Sequence, residues 1–273
     1  MKLQEKLKEA QKNSSAVLAA NYYNIETCKG ILKAASKNKK PVILQLTESS
    51  IEYMSLNTAY STGRTLSDFY EVESWIHLDH CKNIDTIKKC LDTGFDSVMI
   101  DASDLSFSEN IEITSNVIKQ AKNYGVNVEA ELGYIPKPDI DLETDKFTNP
   151  DEAKKFVEET GVNALAVAIG SKHGFYKGEP KLDLERLKEI RESTDVCLVL
   201  HGGSGIPGST LQQAIKLGIT KVNVATETKD TFMRILKNDL ANSSEIDLRK
   251  LFPRAISAVE NLISEKLKII SID

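Results

Sequence analysis

The chain has 273 residues, 41% of them hydrophobic, with a net charge of −5; that length suits one large core, and barrels of this size fold as one unit. The negative balance lacks the basic field that a nucleic-acid or anionic-membrane partner would need. No basic segment followed by an apolar stretch opens the chain and no run is long enough to span a bilayer, so a cytoplasmic protein with neither nucleic-acid nor membrane partners is expected. Cys28, Cys81, Cys90 and Cys197 form no CxxC pair and read as buried small hydrophobes.

The chain opens with an amphipathic helix over Lys2–Lys12, in which Leu3, Leu7 and Ala10 share a face. Short apolar runs separated by longer helical patterns follow, which is how a parallel sheet with helix crossovers reads. The predicted strands are Val17–Asn21, Val42–Leu46, Trp75–Leu78, Ser97–Ile100, Val126–Leu132, Ala164–Ile169, Cys197–Leu200 and Lys221–Val224. Several are apolar along their whole length, as expected of strands covered on both faces. Helical stripes lie between them, at Ile84–Leu91, Ile111–Lys122, Pro150–Glu159, Asp183–Glu192 and Ser209–Leu217. Gly94, Gly125, Gly161 and Gly218 stand where such helices turn back into strands, the place of a left-handed stop. A last helix is predicted from about Leu248 to Lys266, and no linker or shift of composition divides the chain. The fold expected is α/β: a single (β/α)8 barrel domain over residues 1–273 with an N-terminal helix. The alternative, an open doubly wound sheet, would need a GxGxxG turn after an early strand, and none is present.

Barrel chemistry gathers at the C-terminal ends of the strands. Those ends carry Asn21, Gln45 with Thr47, Asp79 with His80, Asp101 with Ser103, Glu129 with Glu131, His173, His201, and Asn223 with Thr226. Of four histidines, three stand at or just beyond strand ends and the fourth, His77, lies inside strand three. A lone histidine is more often a hydrogen-bonded core residue. Three at one mouth have the composition of a catalytic zinc site with an open position. A second pattern suits phosphate: His201-Gly202-Gly203-Ser204-Gly205 follows strand seven and Asn223-Val224-Ala225-Thr226 closes strand eight. Barrels bind phosphate with these two loops, through bare glycine backbone and helix N-termini.

With those residues in view, the chain resembles the class II, metal-dependent ketose-bisphosphate aldolases, in the branch of tagatose- and fructose-bisphosphate enzymes. The resemblance covers nearly the whole chain. It is carried by WIHLDH (75–80), SVMIDAS (97–103), VEAELG (128–133), LAVAIGSKHGFYKGEPKLD (165–183), LVLHGGSGIP (198–207) and TKVNVATETK (220–229). It implies that His80, His173 and His201 are zinc ligands and that Asp79 is the acid serving the aldehyde-derived oxygen. It also implies that Gly174, Gly202, Gly203, Ser204, Asn223, Val224, Ala225 and Thr226 bind dihydroxyacetone phosphate, and that Asp101 and Glu131 hold the metal in an alternative position. The implied reaction is reversible cleavage of a ketose 1,6-bisphosphate, fructose or tagatose, to dihydroxyacetone phosphate and glyceraldehyde 3-phosphate through a zinc-stabilised enediolate. A monovalent cation, Na+ or K+, near the phosphate loops and a homodimer or homotetramer are implied in the same way.

The match has departures. Where the family's mobile loop has a glycine pair, Tyr134 to Asp141 carries Pro136 and Pro138, which fix φ and stiffen a loop. Asp139 stands in place of the glutamate that moves a proton on the ketone. Ala102 replaces a glycine, and Thr47-Glu48-Ser49-Ser50 is a diverged form of an SxGA-like segment. Arg249 and Arg254 are candidates for a distal phosphate across a dimer interface. Four other readings stand beside this one. They are a related barrel lyase for another phosphorylated sugar or keto-acid, a metal-dependent hydrolase, a Schiff-base aldolase using Lys172, and a non-catalytic homologue. The hydrolase would carry an HxH pair where Asn21-Tyr22-Tyr23 stands.

Overall fold

The apolar runs form eight parallel strands: β1 (Val17–Asn21), β2 (Val42–Thr47), β3 (Ser74–Cys81), β4 (Ser97–Ile100), β5 (Asn127–Leu132), β6 (Ala164–Val167), β7 (Cys197–Leu200) and β8 (Ile219–Val224). Each pairs with the next and β1 pairs with β8, so the computed structural model, which describes residues 1–136, 146–176 and 178–271, is a closed barrel. The helices are α1 (Leu3–Lys12), α2 (Ile25–Asn38), α3 (Glu48–Met54), α4 (Leu56–Phe69), α5 (Ile84–Thr93), α6 (Phe107–Lys122), α7 (Pro150–Thr160), α8 (Leu184–Ser193), α9 (Gly208–Lys216), α10 (Thr226–Ala241) and α11 (Leu248–Ile270). The expected α/β barrel with an N-terminal helix is the observed fold. Local chemistry sets its helix ends. Asn24, Ser106 and Asn149 cap α2, α6 and α7 with their side chains, Pro150 takes the first turn of α7, and Gly94 and Gly161 end α5 and α7 in the left-handed conformation.

Alternation along the strands divides the core in two. Leu18, Ala20, Leu44, Leu46, Ile76, Leu78, Val222 and Val224 point outward into the main cluster, against apolar faces such as Ile31 and Leu32 of α2 and Val259 and Ile263 of α11. Inside the barrel, Val17, Ala19, Ile43, Trp75, Ala164, Ala166, Cys197 and Val199 pack with Leu3, Leu7 and Ala10 of α1. The N-terminal helix is therefore a stopper in the end where the strands begin, and the opposite end is left for the site. All four cysteines are buried and free, as expected of small core residues. Among the described residues no helix is long and apolar enough to cross a membrane.

Three strand boundaries differ from the sequence reading by two residues or more. β6 stops at Val167 rather than Ile169, β3 continues past Leu78 to Cys81, and β8 begins at Ile219 rather than Lys221. The last two differences have one cause. Each strand holds an extra residue relative to its neighbour: Leu78 pairs with Val98 but Cys81 with Ile100, and Leu198 pairs with Ile219 but Val199 with Lys221. A simple alternation pattern breaks at such bulges.

Leu7 is fully buried in the stopper. Leu7→Ala is expected to cost about 2–5 kcal/mol in urea unfolding while ligand affinity at the distant C-terminal mouth stays unchanged. A variant of wild-type stability would show that the stopper adds nothing to the fold.

Candidate functional site

A cavity opens at the C-terminal mouth of the barrel, lined by Asn21, Asp79, His80, His173, Gly174, Gly202, Ser204, Asn223, Ala225 and Thr226. Residues from the ends of β1, β3, β6, β7 and β8, up to 205 positions apart in sequence, thus share one wall. The inward parity of Asn21, Asp79, His201 and Asn223 explains most of this. It does not explain His80, because neighbours on a regular strand face opposite ways.

The bulge in β3 resolves that conflict. Leu78 and Cys81 both point into the outer core, and the residues between them, Asp79 and His80, both line the mouth. His80 has φ +49°, a left-handed conformation that costs a residue with a Cβ about 1–2 kcal/mol. The strand accepts that strain where an acid and an imidazole must be adjacent and face the same way.

The three histidines meet at the centre. The ring of His80 lies 4.7 Å from that of His173 and 4.5 Å from that of His201, and one ring nitrogen of each lies within 4.8 Å of the others. His80 Nδ1 donates to Asp101 Oδ2 (2.7 Å), and His201 Nε2 donates to Glu129 Oε1 (2.9 Å). Their remaining nitrogens, His80 Nε2 and His201 Nδ1, face each other at 2.8 Å. Since His201 already donates through Nε2, its Nδ1 is the acceptor here. His80 therefore donates through both nitrogens and is an imidazolium. Burial alone would lower its pKa, but the carboxylates of Asp79, Asp101 and Glu131 outweigh it and raise the group to about 9. His201 is pushed well below the usual range by burial and by the neighbouring charge of His80.

Glu131 adds to the same centre. Its Oε2 is buried without a hydrogen-bond partner, 3.9 Å from His80 Nδ1 and 3.7 Å from His201 Nδ1. Burial and the negative charge of Asp101 push its carboxyl up to about 8. Burial raises Asp101 as well, yet its hydrogen bonds from His80 and Ser103 hold it well below the usual range. Two overlapping donor groups result, His80–His173–His201 and His80–Asp101–Glu131. Both fit a divalent metal: imidazoles oriented by carboxylates on their far nitrogens, and a carboxylate oxygen with nothing else to bind.

Asp79 stands beside this centre on its own support. Asn21 Nδ2 donates to its Oδ2 (2.9 Å), Gln45 steadies Asn21 from behind (2.9 Å), and Asn223 Nδ2 approaches Oδ1 at 3.4 Å. Burial would raise its pKa, but His80, His201, Lys221 and the Asn21 bond hold it below the ordinary carboxylate value. The two glycine-bearing loops meet next to it. Gly203 N donates to Asn223 O (2.9 Å), and Ser204 Oγ accepts from the backbone of Ala225 and Glu227 at the start of α10 (3.4 and 3.3 Å). Gly202 (φ +66°) has no room for a side chain, since a Cβ there would sit 2.3 Å from the Lys172 carbonyl oxygen. Bare backbone at the N-terminus of a 16-residue helix is suited to an anion.

Not every expected residue joins the cavity by its side chain. Val224 points into the outer core, so only its backbone can serve the mouth, and Gly203 is spent on packing the two loops together. Arg249 pairs with Asp247 and Arg254 with Asp239, and neither lines the mouth. Lys172 lies over the Tyr176 ring, 5.5 Å from its centre. Asp139 lies outside the described residues. Asn21, Gln45 and Glu129 were noted at strand ends without a role, and one contributor was not noted there at all: Lys221, fully buried, which donates to Glu129 Oε2 at 2.8 Å. Its only signal was a lysine on the same face as Asn223 in that strand.

Comparison with known proteins gives the family. The model of the class II fructose-bisphosphate aldolase family matches residues 1–272. Among solved structures, the YdjI aldolase of Escherichia coli K12 is 32% identical with a TM-score of 0.89, covering 98% of this chain and 96% of its own. A Coccidioides immitis protein proposed as a fructose-1,6-bisphosphate aldolase is 29% identical with a TM-score of 0.90, covering 98% and 96%. The fructose-bisphosphate aldolase of Campylobacter jejuni, at 20% identity and a TM-score of 0.83 over 98% and 93%, shares the fold. The chain belongs to the class II fructose-bisphosphate aldolase family.

The strained turn of β3 predicts an ordering of variants. Without metal, His80→Gly should be more stable than His80→Ala by about 1 kcal/mol, because glycine adopts positive φ freely. Equal stabilities in denaturant unfolding with EDTA present would remove the strain argument.

Proposed function

From membership of that family, we propose that the protein reversibly cleaves a ketose 1,6-bisphosphate, fructose or tagatose, between C3 and C4, giving dihydroxyacetone phosphate and glyceraldehyde 3-phosphate. The supporting observation is the convergence of three histidines, an oriented aspartate and two anion-suited loops on one cavity. His80, His173 and His201 would hold zinc, with Asp101 and Glu131 offering a second position. When bound, the metal would supply Lewis-acid polarisation of the substrate carbonyl.

The residues divide the remaining work. Asp79, ionised at neutral pH, takes the proton from the C4 hydroxyl during cleavage and returns it to the aldehyde oxygen in condensation. Asn21 and Asn223 aim its two oxygens, so the carboxylate cannot swing toward His80. Gly174, Gly202, Ser204 and the Ala225–Thr226 turn bind the phosphate of the dihydroxyacetone half, which keeps the scissile bond against Asp79. Asp139 is assigned the proton transfer at the ketone carbon, and an Asp139→Asn enzyme that exchanges that proton at the normal rate would remove it from the role. The enzyme is proposed to work in the cytoplasm as a homodimer or homotetramer.

Fructose and tagatose 1,6-bisphosphates assayed in parallel, with EDTA and then added zinc, test the reading. Cleavage should vanish with EDTA and return with zinc, and the ratio of the two rates names the substrate. Asp79→Asn should lower kcat by about 10²–10⁴-fold with metal content unchanged. A zinc-loaded protein that cleaves neither sugar would overturn the proposed substrates.

A further inference from the structure

β8 spends a bulge on seating one lysine. Ile219, Val222 and Val224 all point into the outer core, and regular alternation from Ile219 would turn Lys221 outward beside them. The register instead slips by one residue, with Thr220 in the extra position and its hydroxyl donating to Leu198 O at 3.0 Å. Lys221 turns inward and is fully buried. Its Nζ donates to Glu129 Oε2 at 2.8 Å and approaches His77 Nε2 at 3.4 Å. Because lysine only donates, His77 Nε2 is the acceptor, and Nδ1 carries the proton that points at Ser97 Oγ, 2.8 Å away. Asn127 Nδ2 donates to the same Ser97 oxygen at 3.0 Å. On the other side, Glu129 Oε1 accepts from His201 Nε2.

Stability does not account for this chain of contacts. Barrel interiors are ordinarily filled with branched apolar side chains, and a buried ion pair replaced by well-packed neutral residues is often no less stable. Direction does account for it. With one oxygen tied to Lys221, the Glu129 carboxylate has a single orientation, and its other oxygen is presented to His201 as an acceptor. His201 must then keep its proton on Nε2 and aim Nδ1 at His80.

We propose that the buried Lys221–Glu129 pair is a positioning device for metal binding, which fixes the tautomer and ring orientation of His201. This rests on the reading that His80, His173 and His201 hold the metal. Neither residue of the pair lines the cavity.

The test uses the full chain, stripped with EDTA and titrated with cobalt chloride, following the visible cobalt band and affinity by chelator competition. Lys221→Met and the neutral pair Glu129→Gln/Lys221→Met are each expected to bind cobalt about 10–100-fold more weakly, with an altered band. The double variant leaves no lone buried charge and keeps the experiment interpretable if Lys221→Met misfolds. Leu7→Ala, destabilised at the far end of the barrel, should bind as wild type, which separates positioning from general loss of stability. A folded double variant with wild-type cobalt affinity and band would overturn the proposal. Wild-type protein that binds no cobalt, or binds it equally well as His173→Ala, would instead overturn the metal-site reading and this inference with it.

Discussion

A barrel strand sends every second side chain inward, and the chemistry at this mouth does not respect that rule. Asp79 and His80 are consecutive yet both line the cavity. The fold meets the demand by inserting one residue into β3 and holding His80 at positive φ. A second insertion at Thr220 in β8 turns Lys221 toward the interior. Both irregularities lie in strands that contribute to the mouth, while the other strand pairs keep register. Bulges recur near active sites because they re-aim side chains without unpairing the sheet, and each one here brings a polar group to bear on the histidine cluster.

The barrel is consequently layered along its axis. At the bottom, α1 and the first inward residues form an apolar stopper. Above it lies a buried polar layer of Gln45, His77, Ser97, Asn127, Glu129 and Lys221, and above that the mouth. The middle layer works in two directions. Gln45 reaches up through Asn21 to Asp79, and Lys221 reaches up through Glu129 to His201. The proton-handling group and a ligand are thus each held from below by a separate chain of hydrogen bonds. Water-excluded surroundings make those bonds strong and make any unpaired member costly.

How far the sequence reveals this depends on how local the signal is. Strand and helix order follow from periodicity, and the four left-handed glycines at 94, 125, 161 and 218 are as their positions demand. The three histidines were legible because histidine is rare in the chain and each of the three follows an apolar run within a few residues. The bulges were not. A run such as Ser-Trp-Ile-His-Leu-Asp-His-Cys has no mark of the extra residue, and the strand seemed to end where its alternation failed. Lys221 was missed for a different reason: counted back from Asn223 its parity is inward, but a lysine at the head of a strand reads as a solvated end. Val224 shows a different limit: a motif match covers four residues in a row, but alternation puts that side chain into the outer core and leaves its backbone to the mouth.

His173 raises a separate question of rigidity, since it sits beyond β6 on a loop, whereas His201 directly follows β7. A metal centre built partly on a loop would be imprecise unless the loop were tied down. Tyr176 supplies the tie. Its ring lies beneath Lys172, its oxygen accepts from the Lys172 backbone at 3.1 Å, and its hydroxyl donates to Gly202 O at 3.0 Å. The chain segments on either side of His173 are thereby clasped to the residue that follows His201. His173 N also donates to Pro136 O at 3.0 Å, anchoring the same loop to the segment after β5. The close approach requires glycine at 202, where any Cβ would collide with the Lys172 carbonyl. The same bare backbone that makes room for an anion therefore also lets two ligand-bearing loops touch, so a side chain at Gly202 would disturb the phosphate site and the histidine spacing together.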